Sequence, residues 1–93
     1  MTAVADAEVL ATAVLRAAFR HRLIAPDADT GLGLLAEAAG CAASPEAWRG
    51  AVAAAVAGGL LYDPVRLPEG ALQCHWHLEL TPKGVAAVRA AAD

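Results

Sequence analysis

Leu72-Gln73-Cys74-His75-Trp76-His77-Leu78-Glu79-Leu80 alternates apolar and polar residues without a fault. Successive side chains of an extended chain point to opposite faces, so this run reads as a strand. Leu72, Cys74, Trp76, Leu78 and Leu80 face a core, and Gln73, His75, His77 and Glu79 face water. A second extended run, residues 61–67, precedes it, and Pro64 inside that run marks a sheet edge. Pro68-Glu69-Gly70 supplies the turn between them. The two runs predict a β-hairpin with one covered face and one wet face.

On both sides of the hairpin the period becomes helical. Thr81-Pro82 is a cap followed by Pro, and Lys83 to Ala92 follows as a helix carrying Val85 and Val88. Upstream, Ser44-Pro45-Glu46 opens a helix with a capping hydroxyl, Pro at the first turn and an acid on the positive end of the dipole. Trp48, Val52 and Val56 recur at steps of four along it, and Gly58-Gly59 ends it after Ala57. A shorter helix is predicted from Leu32 to Ala39, with Leu32, Leu35, Ala36 and Ala39 inward and Gly40 in the left-handed position past its end. Asp29 or Thr30 is its expected N-cap. The first helix is predicted from about Asp6 to Leu23, with Leu10, Val14, Ala17 and His21 on one stripe. Leu15 and Phe19 widen its apolar arc, and Ile24-Ala25-Pro26 stops it. The expected order is helix, helix, helix, hairpin, helix: an α+β domain over residues 1–93, with no linker and no repeat.

Composition limits the classes available. The chain has 93 residues, one domain's worth. Its 58% hydrophobic share is 54 residues, but 26 of these are Ala, so the core must be thin. Seven Lys and Arg stand against ten Asp and Glu, a net charge of -3, which is no basic arm. No apolar run reaches the roughly 18–20 residues of a membrane span, and the start carries acids where an export signal carries bases. A cytoplasmic protein with reduced thiols is expected. Cys41 and Cys74 form no Cys-x-x-Cys pair and read as small buried hydrophobes.

Four segments carry a resemblance: Leu35-Ala-Glu-Ala-Ala-Gly40, Ser44-Pro-Glu-Ala-Trp48, Ala57-Gly-Gly-Leu-Leu61 and Leu80-Thr-Pro-Lys-Gly84. In their order and spacing the chain resembles a winged helix-turn-helix domain of the bacterial transcription-regulator type, over about residues 8–92. The resemblance implies three helices, a two-stranded wing and a C-terminal helix. It also implies that the helix from Pro45 to Ala57 enters the DNA major groove while the wing tip, Arg66 to Ala71, touches the backbone or the minor groove. Candidate DNA contacts are then Arg49, Gly50, Ala53, Arg66 and Lys83. The exposed side of that helix departs from the pattern, because Glu46, Gly50, Ala53 and Ala57 leave Arg49 as the sole residue suited to base readout. Glu69 and Asp63 accompany Arg66. A protein-interaction adaptor that uses the third helix, without DNA binding, is the alternative.

Other constellations carry less. Arg16, Arg20 and Arg22 are the densest basic cluster, read as a solvated helix face or as an anion-contacting edge. His75 and His77 share one face of a strand, a spacing that holds a metal only if a third ligand arrives from elsewhere, so no metal site is assigned. There is no phosphate loop, nucleophile elbow or paired-carboxylate arrangement, and neither an enzyme nor a cofactor is expected. The wide arc of the first helix, with the smooth last helix, predicts a homodimer through these two elements.

Overall fold

A computed structural model describes residues 7–40, 43–66 and 75–92 of the chain. The elements run α1 (Ala7–Arg20), β1 (Leu23–Ala25), α2 (Ala28–Ala39), α3 (Pro45–Ala57), β2 (Val65–Arg66), β3 (His75–Leu78) and α4 (Pro82–Ala92). The architecture is α+β, four helices with a small antiparallel sheet among the described residues.

The helix starts follow local chemistry. Ser44 is extended and its hydroxyl accepts from the Ala47 amide at 3.1 Å, with Pro45 in the first turn of α3. Gly40 takes the left-handed conformation past α2, with φ 68°, and its amide donates to the Ala36 carbonyl. Thr81 Oγ1 accepts from the Gly84 amide at 3.1 Å where α4 begins. The cap of α2 is not Asp29 or Thr30 but Asp27, whose carboxylate accepts from the Thr30 amide at 2.8 Å. Asp29 lies already inside the first turn.

The largest departure from expectation lies between α1 and α2. The first helix ends at Arg20 instead of running to Leu23, and Leu23-Ile24-Ala25 forms a strand. The sheet therefore has three strands in the order β1-β3-β2, with β3 in the centre. β1 pairs antiparallel with β3 through Leu23↔Leu78, Ile24↔His77 and Ala25↔Trp76. On the other side, β2 pairs through Val65↔Trp76 and Arg66↔His75, and an isolated bridge, Leu61↔Leu80, continues the same register. The run expected from 61 to 67 is thus a bridge and a two-residue strand, separated by Pro64. The turn at 68–70 and the positions Leu72 and Cys74 lie outside the described residues.

The alternation of the central strand holds. Trp76 and Leu78 are buried, His75 is exposed and His77 is half-buried. These two apolar residues join Leu10, Val14, Ala17, Leu23, Leu32, Leu35, Trp48, Val52 and Leu61 in one core. His21, expected on the inner stripe of α1, is exposed, because the chain has already left the helix there. α1 packs against α2, α3 and α4 at once. Leu10, Val14 and Ala17 of its apolar arc are buried within the chain and Leu15 is half-buried, whereas Val9 and Phe19 remain exposed.

Candidate functional site

α3 and β2 stand on either side of Trp76. Val52, Ala53 and Val56 from the helix and Pro64 and Val65 from the strand line a groove of about 450 Å³ with Trp76. Val65 lies on the same face as Trp76 because the two are direct partners in the register. At the sheet edge it is 56% exposed. Asp63 Oδ1 accepts from the Val65 amide at 3.0 Å, so the outward-pointing donor of this edge is satisfied within the turn.

The charges at the groove come from Arg49 and Asp63. Arg49 projects from α3 toward α2, where its guanidinium lies 3.6 Å from Asp29 Oδ1. Both side chains are well exposed, so the pair contributes little stability, but it neutralises the single base-reading candidate of the helix. Gly50, Ala53, Ala54 and Ala57 are exposed and offer no donor or acceptor beyond the backbone. Glu46 sits in the first turn, where an acid suits the helix dipole but opposes a phosphate.

The remaining DNA candidates do not converge on this face. Lys83 Nζ donates to the Gly58 carbonyl at 3.1 Å and thereby caps the end of α3 from α4. Arg66 stands opposite His75 in β2, and its side chain lies outside the described part of the structure. Arg16 and Arg20, with His21, line a separate groove against Ala38 and Ala39 at the end of α2. The closing turns of two helices carry negative dipole ends, and cations there are favourable without any ligand. Arg22 lies beyond, beside Leu34 and Glu37. Among the described residues none of these three arginines forms an ion pair.

His77 Nδ1 lies 3.9 Å from Glu79 Oε1 on the outer side of β3. Among the described residues no group of three His, Cys, Asp or Glu gathers around one point. Cys41 and Cys74 are outside the described residues. The Thr30 backbone amide, helped by the Thr30 hydroxyl, holds the Asp27 carboxyl below its ordinary value.

No family model, no curated protein and no solved structure matches this chain. The functional reading therefore rests on the surface itself. Sequence reasoning placed Gly50, Ala53 and Arg49 together on the outward side of α3, and they are together there. It did not find the groove. The signal was present, since Val65 shares a face with Trp76 whenever residues 65 and 76 pair, but that register depends on a turn whose length the sequence leaves open.

Proposed function

We propose that this chain is a winged-helix binding module that receives an apolar segment of another protein in the groove between α3 and β2. The observation that carries this reading is the groove's lining: Val52, Ala53, Val56, Pro64 and Val65 around Trp76. Apolar surface rimmed by polar groups is the usual mark of a protein contact. Small residues along α3 let a partner's backbone or aromatic side chain approach closely. A duplex would meet the same face with Glu46 foremost and Arg49 already paired to Asp29.

A second reading, a DNA-binding regulator, is favoured by the order of elements. α3 follows α2 across a short connection, and the β2–β3 ribbon lies beside it, the relation the winged-helix resemblance implies. In that reading Arg49 leaves Asp29 for a base or phosphate, and Arg66 adds a backbone contact.

Two measurements separate the readings. Anisotropy of a labelled random duplex is titrated with the protein at low and at physiological salt; the adaptor reading expects no saturable binding at low salt, whereas binding that falls steeply with salt supports the regulator. Peptides selected from a display library against the wild-type chain are expected to lose binding to Ala53→Asp and Val65→Asp. Selected peptides indifferent to both substitutions overturn the groove as the contact.

A further inference from the structure

We propose that β1 is a dimerisation edge, at which a second copy of this chain pairs antiparallel across a two-fold axis through Ile24. This inference is independent of the α3–β2 groove and uses the opposite edge of the sheet.

The His77 amide donates to the Pro64 carbonyl at 2.8 Å, so the His77 backbone groups point toward β2. Peptide groups alternate sides along a strand, so Trp76 and Leu78 turn theirs toward β1. Their partners Ala25 and Leu23 accordingly bond inward, and Ile24 between them directs its amide and carbonyl outward, away from β3. Among the described residues nothing bonds either group. The two edges of the sheet differ on this point. Asp63 satisfies the outward donor of β2, and among the described residues no side chain does so for β1.

A residue whose amide and carbonyl both face outward is the unit that an antiparallel neighbour exchanges two bonds with. Placed on a two-fold axis, Ile24 of one copy meets Ile24 of the other, and the interface is isologous. The chain bends at Pro26, where β1 has ended. Pro26 has no amide to donate, so the ladder stops there and cannot propagate into an open sheet.

Charge complementarity selects a second copy as the occupant. Arg20, His21 and Arg22 precede β1, and Asp27 follows it. Antiparallel pairing about Ile24 brings the Arg20–Arg22 end of one copy toward the Asp27 end of the other, beyond the bends at His21 and Asp27 that close the strand. Each copy thus supplies a basic and an acidic end, and both ends are answered. Exposed apolar side chains stand on either side of the strand: Ile24 at 44% and Phe19 at 45% border the outer face, and Leu34 at 39% lies beside Arg22 and Leu23. The ladder is short and the contact small, so the dimer is expected to dissociate in the micromolar range.

Sedimentation equilibrium of the full chain across the micromolar range reads the assembly. A monomer–dimer equilibrium is expected, weakened by added salt, with the Ile24 amide protected from hydrogen exchange at high protein concentration and open at low. Ile24→Glu sets two carboxylates opposite each other on the axis and is expected to weaken association at least roughly tenfold. Circular dichroism should be unchanged, since the side chain is exposed. Asp27→Asn keeps the cap of α2 and removes the charge, and a smaller weakening is expected. Val65→Glu, on the other edge, should leave the dimer intact. A monomer at every concentration overturns the proposal. So does a dimer indifferent to Ile24→Glu, or one broken by Val65→Glu instead.

Discussion

Gly31 lies flat against the Trp76 indole, so close that a Cβ at position 31 would overlap the six-membered ring. The second turn of α2 and the central strand of the sheet meet at this point, and the contact is possible because the helix has no side chain there. Both residues are buried, so the indole has no free direction in which to retreat. Gly31→Ala gains helix propensity, which in an open helix would stabilise by about 1 kcal/mol. Overpacking opposes it at about 1–3 kcal/mol, or more where a ring must move. A net loss of stability in urea unfolding is expected, and a variant as stable as the wild type would show that α2 and β3 are further apart than described.

Trp76 is also the test of register. It is 3% exposed, whereas His75 beside it faces water. Trp76→Ala is expected to cost about 3–5 kcal/mol, the usual range for emptying a buried aromatic site. His75→Ala should change stability by less than about 0.5 kcal/mol, as for surface positions generally. Equal effects at the two sites in denaturant titrations would mean that the strand is not seated as described.

The contrast between these neighbours was legible because a period of two over nine residues leaves one choice of inner face. The caps at Ser44 and Gly40 were legible for a similar reason, each combining two local signals at one position. β1 was not. Leu23-Ile24-Ala25 is too short to show a period, and next to a good helix it reads as the helix's own end. It becomes a strand because β3 offers it a partner, which is a tertiary fact. The α2 cap is Asp27 and not Asp29 or Thr30 for a backbone reason: Asp27 is extended, with φ -145° and ψ 168°, and so can turn its carboxylate onto the Thr30 amide. Two aspartates two residues apart carry the same side chain, and composition cannot choose between them. Lys83 reads as a candidate DNA contact in the sequence, since nothing local reveals that the start of α4 lies against the end of α3.

That junction gives a third prediction. Thr81 Oγ1 donates to the Gly59 carbonyl at 2.6 Å and accepts from the Gly84 amide, while Lys83 reaches the Gly58 carbonyl. One hydroxyl therefore closes the end of α3 and opens α4. Thr81→Ala is expected to cost about 1–2 kcal/mol, at the upper part of the range for a lost cap, since two bonds go together. Thr81→Ser should recover most of that. Thermal melts of the three proteins decide the matter; a Ser variant no better than Ala would assign the loss to the missing methyl group rather than to the hydroxyl.

Low pH should weaken the cap of α2. The Asp27 carboxyl is held below its ordinary value by the Thr30 amide, so its anion is favoured more in the folded chain than in the unfolded one. A folded-state value lying below the unfolded one, about 3.9 for Asp, contributes stability that is fully present above the unfolded value and is lost as pH falls through the folded one. Asn caps a helix about as well as Asp but does not titrate. Asp27→Asn should therefore match the wild type closely in acid, where the wild-type carboxyl is itself protonated, and fall behind it above the unfolded value. Unfolding free energies measured from acid to neutral pH give the comparison directly. If the difference between the two proteins were independent of pH, the Asp27 charge would have no part in holding the cap.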